Sequence, residues 1–232
     1  MNRNITNIIR FIMDECLPPI VRDNKIFMYP FYLFAYRGKN IKQVMNFKSN
    51  VYNFTEKEYD IFYNNLDTIS RNRLTDLNNP CLDFILNNIK PDTKSLIDIG
   101  CGNGYLLKKV HEKFPSIELY GFDIKDTDNS TFYKYTKGNV EKMPFTDKQF
   151  DVVTCSHVVE HLVNLKQCAE ELKRITNKQL FIVTPRQRYF YYTLDEHVNF
   201  FEAKEKLTTV IKIKNSVCEN LSGDWAYMGT IS

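Results

Sequence analysis

Apolar residues recur at helical spacing through the first ninety positions. Ile5, Ile8, Ile9 and Ile12 fall three and four apart, as do Tyr59, Phe62, Tyr63, Leu66 and Ile69, so two amphipathic helices are predicted. Thr55 followed three residues later by Glu58 forms a capping box at the start of the second. A third helix is expected near Pro80, carrying Leu82, Ile85, Leu86 and Ile89 until Pro91 stops it. Beyond Pro91 the rhythm changes to short apolar runs separated by helical stretches. SLIDIG leads into a helix through Leu106, Leu107, Val110 and Phe114; IELYGFD, FDVVTCS, a second long helix and LFIVTP follow. Apolar runs alternating with helices predict parallel strands covered on both faces, an α/β doubly wound core. The tail supplies a last helix and two closing strands, near residues 215–222 and 224–231. The predicted organisation is a helical N-terminal segment over residues 1–90, acting as a lid or substrate segment, and a core over 91–232.

Length and composition narrow the class. A chain of 232 residues is long enough for a sizeable core without staples. Its six cysteines, Cys16, Cys81, Cys101, Cys155, Cys168 and Cys218, are dispersed and form no C-x-x-C pair, which suits reduced thiols in a reducing compartment. Arg3, Arg10, Asp14 and Glu15 interrupt the first apolar stretch, unlike a signal peptide, so a cytoplasmic location is expected. The run IFMYPFYLFAY, residues 26–36, is too short to span a bilayer and is broken by Pro30, so no membrane insertion is expected. A net charge of +3 gives no strong case for nucleic acid, so no nucleic-acid partner is expected. Residues 1–50 nevertheless hold eight cations (Arg3, Arg10, Arg22, Lys25, Arg37, Lys39, Lys42 and Lys48) against Asp14, Glu15 and Asp23. That excess suits either a solvated surface or an anionic substrate.

The stretch DIGCGNG, Asp98 to Gly104, lies between an apolar strand and an amphipathic helix. Glycines at 100, 102 and 104 allow a tight turn and close approach of a ligand to the backbone. A dinucleotide fingerprint would need glycine at 105, where Tyr105 stands, and the Lys and Ser or Thr of a Walker loop are missing. A nucleoside without that pyrophosphate fits better. Asp123 ends the next strand nineteen residues after Gly104, where its carboxylate can accept both hydroxyls of a ribose. Asn139 and Val140 follow the third strand, beside the expected adenine, with Met143, Pro144 and Phe145 as an apolar wall.

The acid-x-Gly-x-Gly-x-Gly loop, the acid closing the second strand and the run GNVEKMPFTDKQFD together resemble the class I S-adenosylmethionine-dependent methyltransferases, over residues 91 to about 205. The resemblance implies a Rossmann-like seven-stranded sheet and S-adenosylmethionine as cofactor, with S-adenosylhomocysteine as product. It implies cofactor contacts from Asp98, Gly100, Gly102, Gly104, Asp123 and Asn139, and from their neighbours Cys101, Ile124, Val140 and Ser156. Relatives often carry Asp where Asn139 stands, and an amide adds a donor to the acceptor.

SHVVEHL, residues 156–162, contains the H-x-x-E-H order of some zinc peptidases. That chemistry needs both histidines on one helix and a further ligand, whereas His157 falls at a strand end, so no metal is expected. The helix is predicted to carry a stripe of Val158, Leu162, Leu165, Ala169 and Leu172, with Glu160 and His161 as a pair fixing its start. The string also resembles the family's S-x-x-x-E-H-L run, which implies that Ser156 and His157 approach the methionine part of the cofactor or the acceptor.

A hydroxyl acceptor calls for a general base. The family likeness of the DEHV segment makes His197 the first candidate, with His157 as a second catalytic histidine; a loop-fixing role for His197 through Asp195 is the alternative. Arg186 and Arg188 are candidates for an anionic group of the acceptor, and Tyr63 is a candidate contact among the aromatic residues of the lid, with Tyr29, Phe31, Tyr32, Tyr36, Tyr52 and Tyr59. The N/D-P-P-Y/F motif of amino-directed enzymes and the acidic double-E loop of arginine enzymes are absent from the sequence. The N-terminal half is similar to enzymes of surface-polysaccharide synthesis, which implies O-methylation of a sugar, nucleotide sugar or related anionic metabolite. N-methylation of a small metabolite, a noncatalytic module binding S-adenosylmethionine or its product, and a dehydrogenase remain as alternatives.

Overall fold

In the computed structural model, residues 8, 9, 11–66, 74–125 and 131–231 are described. Ile5, Ile69, Arg3 and Arg10 lie outside them. The chain divides into two compact units, 74–186 with 201–232, and 1–73 with 187–200.

The first unit is a seven-stranded sheet in the order β3-β2-β1-β4-β5-β7-β6. Its strands are β1 (Ser95–Ile99), β2 (Glu118–Asp123), β3 (Lys134–Lys137), β4 (Phe150–Ser156), β5 (Thr176–Pro185), β6 (Ser216–Leu221) and β7 (Asp224–Thr230). β1 to β5 run parallel, and β7 pairs antiparallel with both β5 and β6. The alternating strand and helix pattern therefore produces the expected doubly wound α/β sheet, with an antiparallel hairpin at one edge. Two buried clusters contain side chains from alternate positions of the same strands, Ile97 and Ile99 in one and Leu96 in the other. Helices Asn79–Asn88, Tyr105–Lys113, Leu165–Ile175 and Lys204–Ile211 belong to this unit. The first of them starts at Asn78, whose Oδ1 accepts from Cys81 N at 2.7 Å, and ends before Pro91 as expected. Its Cys81, Leu82 and Ile85 join the cluster containing Leu96 and Leu107, so it packs with the sheet, although the sequence placed it before the boundary at residue 90.

Chain direction places the ligand end of this sheet. Strand order runs outward from β1 through β2 and β3 on one side, and through β4 and β5 on the other. The carboxyl ends of β1 and β4 flank that switch point, with Ile99 paired to Cys155. Ligands of open parallel sheets bind outside such a divergence.

The second unit is helical and takes in a segment that follows β5 in the chain. We label α1 Lys25–Ala35 and α2 Glu56–Asn64, with short helical turns at Pro19–Arg22, Ile41–Met45 and Phe47–Asn50. The capping box forms at α2: Thr55 Oγ1 accepts from Glu58 N at 3.3 Å, and Thr55 N donates to Glu58 Oε2 at 2.8 Å. Leu66 lies beyond the end of α2. The expected first helix widens into a π-type turn at Ile12–Cys16. Pro30 does not break its helix, contrary to expectation; α1 runs through it, and the proline ring is on an exposed position where the lost hydrogen bond faces solvent. Met28, Tyr32 and Ala35 on one face of α1, with Tyr36 just past its end, form the unit's core with Val44, Met45, Met13 and Phe190.

Candidate active site

The loop after β1 is held open by its glycines and by two backbone bonds. Gly100 N and Cys101 N both donate to Phe122 O, at 2.7 and 3.2 Å. Gly100 has φ of +74°, and a Cβ there would come within 2.1 Å of Val158 Cγ2, so any side chain would collide with the segment after β4. Gly102 has φ of +52°, but no atom lies within 4 Å of where its Cβ would be. The tip of the loop is therefore bare backbone facing open space. Beside it, Asp123 Oδ2 accepts from Gly102 N at 2.9 Å and Oδ1 accepts from Lys125 N at 3.0 Å. Each carboxylate oxygen has a second lone pair, so both can still receive a hydroxyl. A half-buried carboxylate next to side-chain-free backbone at the carboxyl ends of β1 and β2 is a fitting cradle for the ribose of an adenosine.

Asp98 lies beneath this loop and is buried; Thr154 Oγ1 donates to it at 2.7 Å. Burial raises its carboxyl, Thr154 partly offsets that and the Asp123 charge adds to it, so its pKa stands at about 7. The thiol of Cys101 is buried, and its Sγ lies 2.9 Å from a Cβ built on Gly121, so this residue offers a ligand its backbone and not its side chain. Gly104 is closed in by the ring of Tyr133 and precedes the helix Tyr105–Lys113. Ile124 is half-buried after Asp123. Asn139 Oδ1 accepts from Glu141 N at 2.9 Å, which turns its amide nitrogen into the group suited to a ring nitrogen acceptor. Val140 and Met143 belong to the buried core, with Phe145 packed against it.

The end of β4 differs from the sequence expectation. Val159–His161 is a single 3₁₀ turn, and the helix begins at Leu165, so Val158 and Leu162 precede it; Leu165, Ala169 and Leu172 carry its inner face. Glu160 is buried. It receives Thr184 Oγ1 at 3.2 Å, and its Oε1 is 3.3 Å from His157 Nδ1. The other ring nitrogen of His157 lies 3.5 Å from Asp224 Oδ2. Asn78 Nδ2 donates to the same oxygen at 2.9 Å. Burial pushes the imidazole toward neutrality, but Asp224 and Glu160 together outweigh it and raise its pKa to about 10. His157 is thus an imidazolium clamped between two buried carboxylates, which is poorly suited to accept a proton. Ser156 Oγ is buried with no hydrogen-bond partner among the described residues. Sequence reading passed over Asp224, Thr154 and Tyr133. None of the three carries a signal among its sequence neighbours, because each acts on groups far along the chain.

His197, Arg188 and Tyr63 belong to the helical unit, and Arg186 to the sheet unit. His197 is buried; its Nδ1 lies 2.6 Å from Gln187 Oε1 and 3.3 Å from Asp195 Oδ2. Two acceptors at Nδ1 favour a hydrogen on that nitrogen. Arg188 is exposed and pairs with Glu15 at 3.2 Å, and Arg186 is exposed just after β5. Tyr63 packs in an aromatic cluster, with its ring centroid 6.3 Å from Phe47 and 4.6 Å from Tyr59.

Residues 97–183 match the family model described as a methyltransferase domain. A tRNA U34 carboxymethyltransferase of Nautilia profundicola is 33% identical over 101 residues, covering 38% of this chain and 33% of that protein. A ubiquinone biosynthesis O-methyltransferase of Rickettsia bellii is 27% identical over 128 residues, covering 46% of this chain and 50% of the relative. The chain thus spans between a third and a half of these relatives' lengths. A crystal structure of a SAM-dependent methyltransferase from Aquifex aeolicus shares the fold at a TM-score of 0.52 and 16% identity, covering 75% of this chain and 98% of that one. Residues 97–183 are thus similar to the methyltransferase-domain family, and the seven-stranded sheet that carries them has the fold of the Aquifex enzyme. Among the described residues no helix is long and apolar enough to cross a membrane.

Proposed function

We propose that this protein is a cytoplasmic methyltransferase that moves the methyl group of S-adenosylmethionine to an oxygen of a small anionic acceptor, a sugar, nucleotide sugar or related metabolite of surface-glycan synthesis. The observation that carries the cofactor half is the Asp123 carboxylate beside the bare backbone of Gly102. When bound, the cofactor supplies an electrophilic methyl group on a sulfonium. In this reading Asp123 holds the ribose, Asn139 meets the adenine edge, and the backbone of residues 100–104 lies along the nucleoside; Ile124, Val140 and Ser156 complete the surroundings. Asp98 fixes the loop from below. His197 takes the acceptor's proton on Nε2, and general-base help of this kind is worth about 10²–10⁴ in rate. Arg186 and Arg188 hold the acceptor's negative charge, Arg188 by exchanging its Glu15 partner. His157 acts as a positioning residue, because its proton is held too tightly for base catalysis. The helical unit serves as lid, and Tyr63 as one of its acceptor-facing rings.

The O-methyltransferase name of the Rickettsia relative supports oxygen as the acceptor atom. The tRNA-modifying name of the Nautilia relative favours a second reading, a nucleic-acid acceptor. Calorimetry with S-adenosylmethionine and S-adenosylhomocysteine, followed by turnover on nucleotide sugars, phosphorylated metabolites, quinols and bulk tRNA, separates these. Turnover on nucleotide sugars is the expected result. Turnover on tRNA alone overturns the acceptor; cofactor binding without any turnover supports a regulatory module; absence of cofactor binding overturns the reading altogether.

A further inference from the structure

The helix α1 has no charged or amide side chain from Ile26 to Tyr36. An all-apolar helix is normally enclosed on every side. Here only one face is: Met28, Tyr32, Ala35 and Tyr36 are buried, while the opposite face, with Ile26, Phe27, Pro30, Phe31, Leu33 and Phe34, is exposed. Ile26 is 85% exposed and Phe34 70%, high values for two large apolar side chains on one helix face. At 1.5 Å per residue the strip from Ile26 to Phe34 is about 12 Å long, far short of a bilayer's thickness but enough to lie along its surface.

Charge decides what covers it. Exposed lysines bracket the strip, Lys25 at its start and Lys42 beyond its end. A second copy packed about a twofold axis would set the two helices either antiparallel or parallel, and in both cases the cationic ends of one meet cationic ends of the other; like charges oppose that pairing. An anionic lipid surface accepts both ends and the apolar strip together. Apolar residues enter the boundary between headgroups and acyl chains, and flanking lysines and arginines meet the negative headgroups.

We propose that the outward face of α1 is a docking surface for an anionic lipid bilayer, which the protein binds peripherally through Ile26, Phe27, Phe31 and Phe34. This does not depend on the acceptor proposed above. Flotation of the full chain with vesicles tests it directly. Binding to phosphatidylglycerol–phosphatidylcholine vesicles is expected to exceed binding to pure phosphatidylcholine by about tenfold or more and to fall steeply in about 1 M salt, where charges are screened beyond about 3 Å. Ile26→Ser with Phe34→Ser is expected to cut the bound fraction at least fivefold with an unchanged thermal midpoint, since both side chains already face outward. Lys25→Glu with Lys42→Glu leaves the apolar strip intact and is expected to abolish the preference for anionic vesicles. Failure to bind either vesicle, equal binding to both, or a dimer by sedimentation that Phe34→Ser dissociates would each overturn the proposal, the last by assigning the face to a second copy.

Discussion

At the scale of single residues, two glycines in the same loop have opposite duties. At Gly100 a methyl group would meet Val158 Cγ2 at 2.1 Å on top of an unfavourable φ of +74°. At Gly102 the same methyl meets nothing, and the cost is the left-handed backbone alone, about 1–2 kcal/mol. Gly100→Ala is therefore expected to lower the thermal midpoint more than Gly102→Ala does, while Gly102→Ala weakens cofactor binding by intruding on the bare tip. Equal midpoints in the two variants, measured by calorimetric denaturation, would contradict this geometry. Asp123 gives a second contrast. Its carboxylate already accepts two backbone N–H groups, so Asp123→Asn must turn an amide donor toward one of them and loses the charge that strengthens a ribose bond. Hydrogen bonds to a charged group contribute about 1.5–3 kcal/mol, so a roughly 10- to 100-fold weaker dissociation constant for S-adenosylmethionine is expected by isothermal titration. Unchanged affinity would remove Asp123 from the cradle.

At the scale of elements, the turn after β4 is fixed by a buried ionic cluster and not by helix propensity. His157, with φ of +56°, ties Glu160 in that turn to Asp224 at the start of β7, and Asn78 links Asp224 to the entry of the helix Asn79–Asn88. Removing the cation leaves two carboxylates without it in the interior, a change that typically costs about 3–5 kcal/mol. His157→Leu should lose about that much in chemical denaturation, and a loss below about 1 kcal/mol would mean the cluster is dispensable. This cluster also marks where sequence reading stops. The strands from SLIDIG to LFIVTP, the Thr55 and Glu58 cap and the helix before Pro91 were legible because each is specified by neighbours a few residues away. So was the loop with Asp98, the glycines and Asp123, whose spacing follows from the strand-turn-helix unit. Val158 and Leu162 fit a helical stripe equally well, but the ion pair of His157 with Asp224 and the hydrogen bond from Thr184 to Glu160, both to groups far along the chain, favour a turn instead. Partners such as Asp224, 67 positions from His157, leave no local signature.

At the scale of the whole chain, neither the segment 187–200 nor its place in the helical unit could be read from local pattern. It is gathered there by Tyr32 donating to Thr193 O at 2.5 Å, Tyr36 donating to Glu196 Oε1 at 2.8 Å, and Lys48 donating to Phe190 O at 2.7 Å. The ammonium of Lys48 also stands over the Phe200 ring, 4.4 Å from its centroid. Burial among these rings lowers its pKa to about 8, although Asp195 and Asp23 pull the other way. The two units thus respond oppositely to alkali. A lysine whose folded pKa is depressed binds fewer protons folded than unfolded, so the helical unit gains stability as pH rises from about 8 toward the ordinary lysine value of 10.5. His157 is the reverse case. Its folded pKa of about 10 exceeds the ordinary 6.5, so its contribution is full below 6.5 and is lost as pH climbs through 10. Above pH 10 the buried Tyr32 and Tyr36, whose hydroxyls are raised chiefly by burial, also begin to oppose the Lys48 trend, so the two directions separate best between about pH 8 and 9.5. Hydrogen exchange corrected for intrinsic rates should show protection rising across that interval in α1 and the Phe47–Asn50 turn, and falling in β4 and β7. Lys48→Met should flatten the first trend alone and His157→Gln the second alone. Parallel changes in both units would show that these two buried cations do not govern the alkaline response.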